Sequence, residues 1–377
     1  MWRTGLDPLR IDAITLRELR IPLVTPFETS GWREEEKNCI IVEMKSQHLS
    51  GYGECAVTSG PWYGPETITS AWHVMQDYFV PTVLGKKFSS TNDVVESFSS
   101  VRGNSMAKAS FDMAFYDLAA KKEGVSLSKF LGGTKDKIES GVSVGIQKNS
   151  RQLIETITDY LRDGYRRIKI KIKPGKDMEP VSTLREHFPD LMLMADANGA
   201  YKSSDFQSLL KLDNFDLLMI EQPFGWDDLV EHANLQRAIK TSICLDESVS
   251  SVNELKSALA LGSCRILNLK PARVGGITVS RVIHEICQSH KMPMWCGGLL
   301  ETGIGRAHNV AIASLPGFVL PNDISASNRY FKEDIVTPEF KLNPDGTITV
   351  PTGPGLGVDV FHEKLLKYTV RTEHFSS

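Results

Sequence analysis

Five charged residues recur at nearly even spacing in the second half of the chain. Lys171, Asp196, Glu221 and Asp246 stand 25 residues apart, and Lys270 follows 24 later. Each closes a short apolar run: "RIKIK", "LMLMAD", "LLMIE", "SICLD" and "RILNLK". Three converging carboxylates repel one another if all are ionised and unpaired. A hard divalent cation removes that repulsion. Oxygen ligands without histidine or cysteine suit Mg²⁺, with Mn²⁺ as a substitute, better than zinc. Asn198, in "ADANGAY", adds a polar contact. Lysines stand at both ends of the series. A partly desolvated lysine has a lowered pKa and offers a neutral amine as base. Such a set suits removal of the proton alpha to a carboxylate, the cation stabilising the resulting enediolate. The same charges would also build a salt-bridge network without metal.

The stretch "RRIKIKIKP" tests that reading. Lys169, Lys171 and Lys173 share one side of a strand by its period of two. Alone, the pattern fits a polyanion-binding patch or an exposed sheet. The intervening isoleucines argue against both, because they require cover on the opposite face. The lysine face then points into a core near its mouth, with Lys173, before Pro174, in the loop.

The elements that must position these groups fall into two grammars. Residues 11–58 read as strands and 66–131 as helices, an α+β lobe. From Gly141 onward, short apolar strands alternate with amphipathic helices. Seven strands run from "GVSVGI" to "PMWCGG", and a weaker eighth ends near "NDIS". About eight βα units imply a closed α/β barrel, whose chemistry gathers at the C-terminal strand ends. Lysine-bearing strands two and six then face each other across it. The expected division is a capping domain over 1–135, a barrel over 136–335 and a return segment over 336–377.

Composition excludes some classes. Hydrophobic residues make up 41%, charged residues 24%, and net charge is -3, so no global basicity draws the chain to nucleic acid or an anionic membrane. The six cysteines include no C-x-x-C pair and read as buried thiols of a reducing cytoplasm. "MWRTGLDPLR" lacks the apolar region of a signal peptide, and no run approaches the length of a membrane helix. A soluble, cytoplasmic protein is expected.

The motifs "RIKIKIKPG", "ADANGAY", "IEQP", "CLDES", "LNLKPARVGG", "WCGGLLETGIGRA" and "VPTGPGLGV" resemble the enolase superfamily, muconate-lactonising subgroup. More closely, they resemble the o-succinylbenzoate synthase/N-acylamino acid racemase family. "GYGECA" and "SMAKASFDMAFYDLAAK" carry the likeness into the first lobe. The resemblance implies a (β/α)7β modified TIM barrel and an N-terminal α+β capping domain completed by the C-terminal tail. It implies Asp196, Glu221 and Asp246 as Mg²⁺ ligands. Lys171 and Lys270 would be acid/base groups on opposite faces of the substrate. Lys169 would assist by tuning Lys171 and holding the substrate carboxylate, and Arg273 matches an arginine of the racemase-capable branch. The implied reactions are syn-dehydration to o-succinylbenzoate, in the menaquinone pathway, and racemisation of N-acylamino acids by a homo-oligomer.

The segment "TPFETSGWREEEK", residues 25–37, reads as a mobile loop closing over a small carboxylate substrate. Trp62 and Tyr63 offer apolar walls. Ser143, Gly298, Leu299 and Asp323 are candidate contacts for the rest of the substrate. Dipeptide epimerase and muconate cycloisomerase are alternatives. The first carries Asp-x-Asp where this chain has Asp323-Ile324-Ser325, which favours substrates without a free amino group. A catalytically silent barrel is the non-enzymatic alternative.

Overall fold

The computed structural model describes residues 7–377. The first part of the N-terminal stretch read above for a signal, residues 1–6, lies outside the described residues. Three long strands, β1 (Ala13–Glu28), β2 (Arg33–Ser46) and β3 (Leu49–Cys55), form an antiparallel sheet. The C-terminal strand Thr369–Ser376 pairs along β1 and completes it. Helix α1 (Ser105–Lys122) lies between this sheet and the rest of the molecule and is buried almost all round. Its Asp112 accepts hydrogen bonds from Thr278 N at 3.0 Å and Thr278 Oγ1 at 2.6 Å. The capping domain thus caps a barrel helix, satisfying amides that a helix start leaves unpaired.

Seven parallel strands follow: β4 (Gly141–Val144), β5 (Arg167–Lys171), β6 (Met192–Asp196), β7 (Ile220–Glu221), β8 (Ile243–Leu245), β9 (Ile266–Leu269) and β10 (Met294–Cys296). They pair in sequence order, each with the next. The fold is the α/β barrel with a separate N-terminal domain that the sequence implies. The expected eighth strand near "NDIS" is not a strand. Phe318 bridges to Met294 and Asn322 to Ser140, so two isolated bridges close the ring. Backbone bonds still tie the segment to both neighbours, Asp323 N to Cys296 O at 2.8 Å and Gly141 N to Asn322 O at 2.6 Å.

A helix absent from the sequence reading, Gly303–Ala313, follows β10. Every residue of it is buried, and its polar residues Arg306 and Asn309 bond within the protein, so it lacks the charged, solvent-facing side that marks an outer helix. The segment 25–37 forms the end of the β1–β2 hairpin. Thr29 Oγ1 accepts from Trp32 N at 3.0 Å, and Ser30 Oγ donates to Ile172 O at 2.8 Å. All six cysteines are buried and free. Among the described residues, no helix is long and apolar enough to cross a membrane.

Strand β5 sorts its residues as the alternation requires. Ile168, Ile170 and Ile172 pack into the large core shared with the outer helices, while Arg167, Lys169 and Lys171 point the other way and are also buried. Inside the barrel, Met194, Met219, Cys244, Ile266 and Trp295 form a small apolar floor. Arg167 lies 5.3 Å from the Trp295 ring centroid, and its Nη2 donates to Pro321 O at 3.2 Å. Room for its guanidinium comes from Gly141, where an added Cβ would sit 2.2 Å from Arg167 Cζ. Gly141→Ala is therefore expected to destabilise the protein by about 1–3 kcal/mol through overpacking. Urea unfolding would show a lower midpoint at unchanged slope; an unchanged midpoint would refute the steric account.

Candidate active site

Register explains the 25-residue rhythm. Lys171 pairs across the sheet with Asp196, and Asp196 with Glu221. One turn of the βα repeat returns the chain to the same rung, with neighbouring side chains about 4.8 Å apart. The rhythm misplaces Asp246 on this rung. Glu221 pairs with Cys244, so Asp246 stands two residues nearer the mouth on the same face. The stagger is the shear that closing a barrel demands. Lys270 follows β9 directly.

The lysines and carboxylates are interleaved. Lys171 Nζ lies 2.6 Å from Asp196 Oδ2 and 2.8 Å from Asn198 Oδ1. Lys169 Nζ is 3.0 Å from Glu221 Oε2, 3.0 Å from Asp323 Oδ2 and 3.3 Å from Asp196 Oδ2. Across the barrel, Lys270 Nζ donates to Asp246 Oδ2 at 2.8 Å. Tyr63 OH donates to the other oxygen of Asp246 at 2.8 Å, and the Lys270 amine sits 4.4 Å from the Tyr63 ring centroid. A Cβ on Gly297 would come within 2.6 Å of Lys270 Cε, so that position must stay bare for the amine to occupy its place.

The carboxylate contacts outweigh burial in the electrostatics of Lys169 and Lys270. Burial opposes the charge on Lys169, but Asp323, Glu221 and Asp196 outweigh it and hold the pKa well above the ordinary lysine range. Burial likewise opposes the charge on Lys270, and Asp246 and Tyr63 prevail. Both amines are held charged because each faces carboxylates at contact distance. The carboxylates divide. Glu221 is pushed up to about 7 by burial and by Asp196. Asp246 is held below its ordinary range, Lys270 and Arg273 overcoming burial. No three His, Cys, Asp or Glu side chains among the described residues gather around one point. Asp196, Glu221 and Asp246 are instead turned onto the amines.

Most of the expected residues line one pocket beneath the capping domain. Lys169, Lys171, Lys270, Ser143, Asn198, Gly298, Leu299 and Asp323 all face it. Arg273 does not. It is buried behind Asp246, which it ion-pairs, and donates to Val249 O at 2.9 Å and Asn268 O at 2.6 Å. Its guanidinium thus serves protein acceptors. Ser143 Oγ donates to Asp323 Oδ2 at 2.7 Å. Trp62 is 58% exposed and is no wall of the pocket, whereas Tyr63 is. Phe27 and Trp32 from the β1–β2 hairpin supply the apolar roof.

Several neighbours escaped the sequence reading. Asn268 Nδ2 donates to Glu221 Oε1 at 2.7 Å. It lies two residues before Lys270, so strand alternation would have placed it on the same face. Glu247, next to Asp246 in "CLDES", accepts from Asn198 Nδ2 at 3.1 Å, while its Oε2 is shielded and has no hydrogen-bond partner among the described residues. Burial and Asp246 push its pKa up to about 8. Trp295 lies under the Lys169 amine, 4.9 Å from ring centroid to nitrogen.

Comparison with known proteins places this geometry in a family. Residues 152–364 match the "Enolase C-terminal domain-like" model, and 11–132 match "Mandelate racemase / muconate lactonizing enzyme, N-terminal domain". The chain is 47% identical over 369 residues to an o-succinylbenzoate synthase of Bacillus subtilis, spanning 98% of this chain and 99% of the relative. It is 42% identical over 362 residues to an N-succinylamino acid racemase of Amycolatopsis sp, spanning 96% and 98%. A solved enolase-superfamily structure from Listeria innocua superposes with a TM-score of 0.94 at 45% identity, covering 98% of this chain and 99% of that one. The relatives are a lyase and an isomerase, and this protein is an enzyme. The chain belongs to the enolase superfamily, in its mandelate racemase and muconate-lactonising branch, with the o-succinylbenzoate synthases and N-succinylamino acid racemases.

Proposed function

We propose that the enzyme removes the proton alpha to a substrate carboxylate and acts as an o-succinylbenzoate synthase, an N-succinylamino acid racemase, or both. The observation that carries this reading is that Lys171 and Lys270, on opposite strands, face one pocket. The high identity to relatives with both names supports it. In dehydration, Lys171 takes the alpha proton and returns it to the departing hydroxyl, which leaves as water from the same face. Lys270, held charged, faces the anion that forms between these steps. In racemisation, one lysine takes the proton and the other delivers one to the opposite face. Lys169 holds the substrate carboxylate and biases the Lys171 amine by its own charge.

Asp196, Glu221 and Asp246 would hold a divalent cation, Mg²⁺ or Mn²⁺, as the superfamily generally uses one. The fit rests on an oxygen-only donor set and on the shielded, unpartnered Glu247 Oε2 beside it. When bound, the cation supplies positive charge to the substrate carboxylate as the anion develops.

Asp323 argues against a free-amine substrate. Its Oδ2 already accepts from Lys169 and Ser143, and Arg167 lies 3.7 Å from Oδ1. Ser325 stands where a second acid would be needed and is buried. The partner is thus a small carboxylate whose nitrogen, where present, is acylated.

Lys171→Ala and Lys270→Ala should each lower racemisation of N-succinylphenylalanine by about 10²–10⁴-fold. Circular dichroism or chiral chromatography would measure it, and wild-type racemisation by Lys270→Ala would remove the two-face assignment. Mg²⁺ at 100 times its Kd should stabilise the fold by about 2.7 kcal/mol. A thermal shift abolished by EDTA and absent in Glu221→Gln is expected; an equal shift in that variant would count against the assigned ligands. Asp323→Ala should destabilise by about 3–5 kcal/mol, because Lys169 and Arg167 lose a buried counter-charge. Denaturant titration checks this, and a cost below 1 kcal/mol would show that water already screens them.

A further inference from the structure

Residues 298–301 form one wall of the pocket, and the capping domain holds that wall from both ends. At the near end, Lys37 of β2, only 3% exposed, donates from Nζ to Leu299 O at 3.0 Å and reaches Val57 O at 3.5 Å. At the far end, Glu54 of β3, 1% exposed, accepts from Thr302 Oγ1 at 2.6 Å, Thr302 N at 3.1 Å and Gly305 N at 3.1 Å. The two cap residues face each other at 3.8 Å. Within the wall, Glu301 folds back to accept from Leu299 N at 2.7 Å and is fixed by Asn309 Nδ2 at 3.0 Å.

Leu300, between the two anchors, has φ +57°, the left-handed region that side chains rarely adopt. Such a residue persists where its surroundings over-determine it. A fully buried ion pair is, in general, no better for stability than apolar residues of similar size. Here both partners direct their shorter contacts to the barrel wall and not to each other. Their arrangement therefore serves position more than stability.

We propose that Lys37 and Glu54 form a cross-domain clamp that positions the 298–302 wall, and so act as positioning residues for the substrate's acyl end. The last clause rests on the functional reading above. The clamp sets how well substrate is held. It leaves proton transfer at Lys171 and Lys270 largely alone, since neither cap residue contacts those amines.

The test compares Lys37→Met, Glu54→Gln, their double variant and Lys37→Arg, using N-succinylphenylalanine. Each single removal should raise KM roughly tenfold while kcat falls less than about threefold. The double variant should be no worse than the poorer single, because one device is being removed twice. Lys37→Arg should recover most of the KM. Amide hydrogen exchange of the ligand-free variants should quicken over 298–305 and stay unchanged over β5–β7. Unchanged exchange in 298–305, additive losses, or a fall in kcat at fixed KM would overturn the clamp. Should Lys37→Met fail to fold, Glu54→Gln and Lys37→Arg carry the same comparison. The exchange measurement needs no substrate. A wild-type protein that turned over neither proposed substrate would therefore undo the functional reading while the clamp was judged separately.

Discussion

Charge inside this barrel survives only by being matched. Three lysines and four carboxylates, with Arg167 and Arg273, occupy a space lined below by methionine, cysteine, isoleucine and tryptophan. An isolated ion there would lose several kcal/mol of hydration, so each amine is set against carboxylates at 2.6–3.3 Å. That mutual pairing decides side-chain direction across β5, β6, β7 and the ends of β8 and β9. It also raises the pKa of Lys169 and Lys270 against the effect of their burial.

The barrel alone does not finish the site. Tyr63, Phe27, Trp32 and Lys37 come from the capping domain and close the mouth over the lysines. Tyr63 reaches Asp246, so one ligand candidate is already oriented by the other domain. Asp112 and Glu54 tie cap to barrel at two helix starts, where free amides make a carboxylate worth most. The C-terminal strand along β1 links the last residues of the chain to the first sheet. The pocket's lysines and its roof are thus held by separate parts that meet only in the folded chain.

Legibility in the sequence varied with the kind of signal. The lysines and carboxylates were readable because strand alternation and a constant repeat length both act locally. Asn268 was readable by the same rule. The helix Gly303–Ala313 was not, since its polar residues face the protein and leave it no charged outer side. The eighth strand's apolar residues are there, but its ladder pairing is limited to isolated bridges. Arg273 was assigned by position in a motif, and its guanidinium turned out to face Asp246 and two carbonyls.

The sequence by itself determined which residues face inward, how many βα units return to the rung and what donor chemistry collects there. These follow from periods of two and of about 25 residues along the chain. The tertiary structure alone decided which carboxylate each amine meets, that Asp246 stands two residues above its neighbours, and which cap residues complete the pocket. Those choices depend on barrel shear and on contacts between distant segments, such as Lys37 with Leu299, 262 residues apart. No local pattern encodes such distances, because they are fixed only when the whole sheet closes and the two domains pack.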